Sequence, residues 1–592
     1  MRTPLLLCVA LTGALYATGA TADDKTLVGE MAEQALFEIA STHGDPDLVD
    51  RFLLPSNASL RADGAQTLGR LANQDALKPL AELLTDLDEP VAIAAAVALA
   101  KTPGATEVLL EALGTETRPE VRGAILRALG FHGETGDIET LIMNLADTHA
   151  EIRVGAAHAL GTMGRRKVQG LARVDVARAL VTATQRIELD PRSHRLAAHA
   201  IARIDWTGVP EETGSDFANQ ARRHGDRHVR AWYVRGAKTA TSDADWSALT
   251  DDLAEDSAKG VRIAVARGIG ARPGIAPLRA MHTLLTDIER PVRLAAFEAA
   301  ANLADQQDII DVVEAALDSD LDDPELEALG VVALMEASRG PAVHTLVENK
   351  SVWMREIASR YADEQQLQIL AGDEEPTVRT NAFMALLKTA IEDSDTEALV
   401  ALASDVRFAA EVRSAVVEEA KGSDIALPDA ANVDVPRADP WKELPTLRDV
   451  LTLRSARIHT SRGEFRLTLR PEIAPATVSV WSRLATDGFY NGLLFHRVVS
   501  DFVVQGGDPR GDGWGGPGFQ IPDEHSAASY VTGSVGMATS GPNTGGSQWF
   551  ITLSPQPHLD QNYTLFAEVS YGMDIVRRLQ RGDEIFAIEL EP

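Results

Sequence analysis

The chain has 592 residues, 45% of them hydrophobic and 24% charged, which is the makeup of folded domains and excludes wholesale disorder. Its 56 Lys and Arg against 87 Asp and Glu leave a net charge of −31, so a polyanion is repelled and the sequence predicts no nucleic-acid partner. Cys8 is the only cysteine and lies in a segment expected to be removed, so the mature chain is expected to have no disulfide framework, no thiolate metal site and no cysteine nucleophile. Residues 1–22 read as a secretory signal: Arg2, an apolar core Leu5 to Leu15, and the small residues Ala20-Thr21-Ala22 ahead of Asp23-Asp24. A core of about ten residues is half a bilayer span, and no later stretch is long and uncharged enough to cross one. The expectation is a chain exported across the inner membrane to a periplasm, with no membrane span.

Residues 23–423 repeat. A branched residue followed by arginine, then an Ala-rich helical run, recurs at Val121-Arg122, Ile152-Arg153, Val229-Arg230, Val261-Arg262, Val292-Arg293, Val378-Arg379 and Val412-Arg413. Degenerate copies start at Leu60-Arg61, Val91 and His194-Arg195. The spacings 91→121→152 and 229→261→292 suit two short helices and two turns, the period of a solenoid. In the copy 151–161, Ile152, Ala156, Ala159 and Leu160 form one stripe, and Gly161 suits a helix end. The run resembles HEAT repeats, about eleven or twelve of them between 26 and 422. By that resemblance the arginines form a ladder with neighbouring acids, and the solenoid's concave, acidic surface is expected to hold a protein client or partner. Residues 424–452, broken by Pro428, Pro436, Pro440 and Pro445, read as a semi-stiff linker.

From about 453 the construction changes. Half of all Phe, Trp and Tyr lie in residues 455–592. Arg457–Thr460 and Glu464–Arg470 alternate as a hairpin, and a helix follows with Pro475 in its first turn and Val478, Trp481 and Leu484 on one face. Strands are expected at 493–499, 533–538, 548–553 and 564–569, and a short helix places Met573, Val576 and Leu579 together. Many strands with two helices suggest a closed barrel with helical caps. The fold class is therefore multidomain: an all-α HEAT-like solenoid, then a mainly-β domain over 453–592.

Three blocks carry a resemblance: Phe495-His496-Arg497-Val498-Val499, Phe502-Val503-Val504-Gln505-Gly506-Gly507-Asp508, and Gly541 through Phe550. In order and spacing they are similar to the cyclophilin family of peptidyl-prolyl isomerases, which implies a barrel of eight antiparallel strands capped by two helices. The resemblance makes Arg497 and Gln505 the catalytic residues. Phe502, Val503, Phe550 and Leu559 become the proline pocket, Ala538 and Thr539 the grip on substrate backbone, and Gln548 part of the groove. Tyr563 stands where the family has a histidine near the pocket, His558 where it has tryptophan, Val503 where it has methionine, and Thr539 where it has asparagine. These departures bear on peptide preference and cyclosporin binding more than on catalysis.

Other signals are bland. Gly511-Asp512-Gly513-Trp514-Gly515-Gly516 fits a dinucleotide fingerprint only formally, with no strand–helix unit around it. No His-Glu-x-x-His occurs, the acids of 318–327 read as a solvated turn, and His158 and His199 read as packed residues. No metal and no cofactor is expected. The function expected is isomerisation of X–Pro bonds in proline-containing clients; the alternative is a catalytically weak, proline-binding scaffold or chaperone.

Overall fold

A computed structural model describes residues 57–428 and 447–591, apart from 72–73, 187–189, 276 and 319–321, together with residues 36, 49 and 53. The secretory signal, the start of the repeat region and most of the linker, with Pro436, Pro440 and Pro445, lie outside the described residues.

Helix pairs stack from Ala58–Leu71 to Ala415–Gly422. The turn inside each pair follows from a recurring aspartate. Asp147, Asp256, Asp287 and Asp373 each accept the N–H two residues on, the side-chain turn typical of Asp. The repeated arginine then closes that turn from the second helix: Arg153 donates to the Asp147 and Thr148 carbonyls, Arg293 to Asp287 and Ile288, and Arg379 to Asp373 and Glu374. Acid pairing is narrower than expected. Among the seven full copies Arg230 meets Asp256 at 2.9 Å and Arg262 meets Asp287 at 2.6 Å, and in the degenerate copies Arg61 meets Asp86 and Arg195 meets Asp226, each at 2.7 Å. Arg122 and Arg413 hold carbonyls instead, because these lie at the open ends of helices and lack intrahelical partners.

Consecutive second helices pack more closely than consecutive first helices, so they form the inner layer. A Cβ on Gly130 would lie 2.6 Å from the Ala159 Cα, and one on Gly270 2.8 Å from the Ala299 Cα. Glycine and alanine at these crossings are what let the backbones touch. The expected stripe of Ala150–Arg165 is buried, but so are Arg153, Val154, Ala157, His158 and Thr162, on all sides of the helix. Neighbouring helices cover part of this surface, and the C-terminal domain covers the side that carries His158.

That domain is one antiparallel sheet of β1 (Ser455–Thr460), β2 (Gly463–Leu469), β3 (Arg497–Val499), β4 (Val503–Gly506), β5 (Ser534–Met537), β6 (Trp549–Thr552), β7 (Leu565–Tyr571) and β8 (Ile585–Glu591), in the order β3-β4-β6-β5-β7-β2-β1-β8. The sheet curls until its ends meet. Leu494 bridges Glu584, and Phe495 N–H donates to the Asp583 carbonyl at 2.8 Å. Strands β4 and β8 add to those expected, and β3 is shorter than 493–499. The helix Pro475–Thr486 and the short helix Met573–Val576 are present, and Trp481 packs against Tyr490, Trp549 and Phe566 in the core. A turn of helix at Leu447–Val450, inside the linker range, sinks Val450 into that core.

The face of the solenoid expected to be acidic is not acidic where the barrel meets it. The inner face of the solenoid carries arginine and histidine, and the chain's own barrel sits on it. Arg127 donates to the Ala527 carbonyl at 3.0 Å and Arg267 to the Ser500 carbonyl at 2.7 Å. Thr380 donates to Asp512 at 2.8 Å, and Arg581 pairs with Glu356 at 2.5 Å while lying 4.3 Å from the Trp353 ring. At the other end, Arg70 approaches Glu524 at 3.4 Å, both side chains buried. Glu524 also accepts the N–H groups of Ala476 and Thr477, so it caps the barrel helix and meets the solenoid at once.

Candidate active site

The register of three strands builds the site. Arg497 on β3 stands opposite Gln505 on β4, which stands opposite Phe550 on β6. The Arg497 guanidinium donates to Gln505 Oε1 at 3.3 Å, and Gln505 Nε2 donates to Gln548 Oε1 at 3.0 Å. Gln548 Nε2 in turn donates to the carbonyls of Gly513 and Gly515, each at 2.9 Å. This relay fixes the direction of each amide, so a polar edge faces the groove with its donors aimed. The Gly511–Gly516 segment thus supplies backbone carbonyls to the end of the relay, and the glycine motif is a groove loop.

Beside that edge lies an apolar seat separate from the barrel core. Val503, Phe550 and Leu559 are buried in it together with Tyr530 and Leu565, and Phe502, Ala538 and Tyr563 pack against it half-buried. Tyr563 meets Phe550 edge-on at 5.8 Å. Gly536, next to Phe550 in the sheet, leaves room for these rings, since a Cβ there would lie 2.5 Å from the Phe550 Cζ. The structure therefore brings together Arg497, Gln505, Phe502, Val503, Ala538, Gln548, Phe550, Leu559 and Tyr563. Thr539 lies one residue beyond Ala538, on the wall of a cavity that Tyr563 also lines. Tyr530 and Leu565 were not anticipated. Tyr530 sits in an irregular loop, where no period marks a buried residue.

Arg497 is exposed at the groove, and its guanidinium lies 5.8 Å from the Phe502 ring. Burial by the surrounding walls lowers its pKa and the Tyr563 phenol works the other way, but a guanidinium stays charged throughout. Among the described residues no carboxylate pairs with it, so its charge is available to a ligand. His558 accounts for the departure at the tryptophan position. Its ring stacks on Phe502 at 5.6 Å on one side and on His199 of the solenoid at 6.1 Å on the other. His158 lies 3.2 Å from the Pro557 carbonyl. The two histidines read as packed are packed, and what they pack against is the rim of the groove. Among the described residues no cluster of three His, Cys, Asp or Glu could hold a metal ion.

A curled antiparallel sheet bearing one aimed cation beside an aromatic seat offers an apolar pocket with a charged hydrogen-bond donor at its edge. The comparisons place that site in a family. Residues 455–587 match the family model for cyclophilin type peptidyl-prolyl cis-trans isomerases, and residues 46–130 match that for HEAT repeats. A solved cyclophilin type isomerase from Cryptosporidium parvum aligns at 29% identity over 24% of this chain and 98% of that one, with a TM-score of 0.23. A peptidyl-prolyl cis-trans isomerase of Synechococcus elongatus is 43% identical over 140 residues, 23% of this chain and 97% of that protein. Peptidyl-prolyl cis-trans isomerase B of Bacillus subtilis is 44% identical over 131 residues, 22% of this chain and 92% of that protein. The chain belongs to the cyclophilin-type peptidyl-prolyl cis-trans isomerases, with HEAT repeats ahead of its catalytic domain.

Proposed function

We propose that the chain isomerises X–Pro bonds of exported client proteins, with Arg497 as the group that favours the twisted bond. Amide resonance sets a barrier of about 18–20 kcal/mol to rotation. In the twisted state that resonance is lost and the prolyl nitrogen can accept a hydrogen bond. Phe550, Val503, Leu559 and Phe502 seat the ring, while Gln505 holds the guanidinium over it and Ala538 and Thr539 align the flanking backbone. A donor aimed in advance stabilises the twisted state more than the planar one, and no covalent step is needed.

The observation that carries this reading is the Arg497–Gln505–Gln548 relay at the edge of the apolar seat. Arg497→Ala is expected to lower kcat/KM on a proline tetrapeptide about a hundredfold, the scale of losing one preorganised donor. A variant as active as wild type would leave a proline-binding scaffold. Export is supported by the apolar core and small-residue site of residues 1–22; mass spectrometry of protein recovered from cell envelopes should find the chain starting near Asp23, and an intact Met1 would contradict it. For the solenoid, its contacts with the groove rim support a role in presenting the active site to clients.

A further inference from the structure

The junction of solenoid and barrel encloses a cavity of about 450 Å3 that opens onto the groove. Thr539 and Tyr563 belong both to this cavity and to the proline site, so a peptide seated at Phe550 passes its mouth within about three residues. The barrel wall is stiff. Asp523 and Asn543 exchange backbone N–H and side-chain bonds at 3.0 and 2.9 Å, and Thr544 accepts the Ser540 N–H while donating to the Gly541 carbonyl. The opposite wall is cationic and comes from the solenoid: Arg70, Lys101 and Arg165.

These cations are poorly matched with anions. Lys101 donates to the neutral Asn562 amide at 2.9 Å and lies 4.4 Å from the Phe131 ring. Arg165 reaches only the His558 carbonyl, at 3.5 Å. Among the described residues neither has a carboxylate within ion-pair distance. Arg70 shares Glu524, while its buried Nε has no hydrogen-bond partner. The other charge on the lining is Asp523, and His525 completes it. Three cations thus face one lining carboxylate and the Glu524 behind Arg70, an excess of one in a chain whose net charge is −31. Burial and the neighbouring Arg165 lower Lys101 to about 8, and burial with Lys101 and Arg70 lowers His525 to about 3. The local field is positive.

We propose that this cavity is a substrate subsite for an anionic side chain close to the proline, and that Lys101 and Arg165 of the solenoid set this sequence preference of the isomerase. The inference rests on the isomerase reading and deepens it, for it makes the repeats part of the site. Glutamate, aspartate and phosphoserine share the chemistry the cavity takes.

The test is kcat/KM of the full chain on tetra- to heptapeptides that place Glu, Gln or phosphoserine at each position flanking one X–Pro bond. Wild type should prefer Glu over Gln about tenfold or more at one position, the scale of a charge-assisted hydrogen bond. The phosphoserine arm shows which anion the cavity takes better. In Lys101→Gln/Arg165→Gln the Glu-to-Gln ratio should fall to about one, and Arg165→Lys should keep most of it. Lys101→Glu should favour a Lys peptide, a reversal that misfolding cannot produce. Equal rates for Glu and Gln at every position in wild type, or a preference that survives the double substitution, would overturn the subsite. Failure of wild type on every peptide would instead sink the isomerase reading, so the two failures are distinct.

Discussion

Arg262 and Arg267 lie five residues apart on the helix Lys259–Gly270 and serve different neighbours. Arg262 stays within the solenoid, closing its own turn on the Asp256 carbonyl at 2.7 Å and reaching the Asp287 carboxylate of the next repeat at 2.6 Å. Arg267 reaches across to the barrel and donates to the Ser500 carbonyl. The same division holds for Arg122, which closes its own turn, and Arg127, which donates to the Ala527 carbonyl of the barrel. Five residues carry a side chain about 140° round a helix, so one repeated motif can brace the solenoid on one face and hold the catalytic domain on another. At the equivalent position of Ala150–Arg165 stands His158, which reaches the Pro557 carbonyl. Fixed register in sequence therefore became two different interfaces, one local and one between domains.

The comparison predicts separable losses. Arg262→Ala should be the largest, because it strands a nearly buried carboxylate; about 3 kcal/mol of stability should be lost in denaturant unfolding of the full chain. Arg127→Glu with Arg267→Glu should leave the solenoid intact and loosen docking by about 1–2 kcal/mol in all, read as faster proteolysis in the segments around Ser500 and Ala527. If instead the solenoid unfolded with the double substitution, the division between the two rows would fail.

Acid should weaken the docking contacts. Burial holds His158 and His558 at about 3, with Arg127 and with Arg203 and Arg165 respectively adding to the shift. Exposed histidine titrates near 6.5, so undocking takes up protons and docking weakens as pH falls from 6.5 toward 3. Asp560, pushed up to about 6 by burial, works in the opposite sense, since it favours the docked form as pH falls through 6; two histidines outweigh it. Hydrogen exchange of the Pro557–Tyr563 segment should rise between pH 6.5 and 4.5, and a flat profile would contradict this. The smallest effect belongs to His199→Ala, which removes the ring stacked on His558 and should weaken docking by about 1 kcal/mol.

How much of this was legible depends on range. The hairpin of β1 and β2 and the helix Pro475–Thr486 follow from local alternation and capping, and the groove residues follow from three short motifs. β4 was hidden because Val503, Val504 and Gly506 are buried on both faces, which erases the period of two. The turn-closing arginines were visible as a repeat, but their carbonyl partners were not, since those depend on how a preceding helix ends. The docking row carried a signal that goes unread without the fold: Arg127, His158, Arg235 and Arg267 each stand five places beyond a repeated arginine, inside an otherwise Ala-rich run. His558 is the same lesson at one residue, a family departure whose partner lies 359 positions away in His199.

Small-angle X-ray scattering of the full chain tests most directly the claim that solenoid and catalytic domain form one body with the active-site rim against the inner arginine row. The wild type should scatter as a single compact particle, and Arg127→Glu/Arg267→Glu should expand it toward two bodies on a tether. A wild-type profile that already shows two independent bodies, unchanged by those substitutions, would contradict the account.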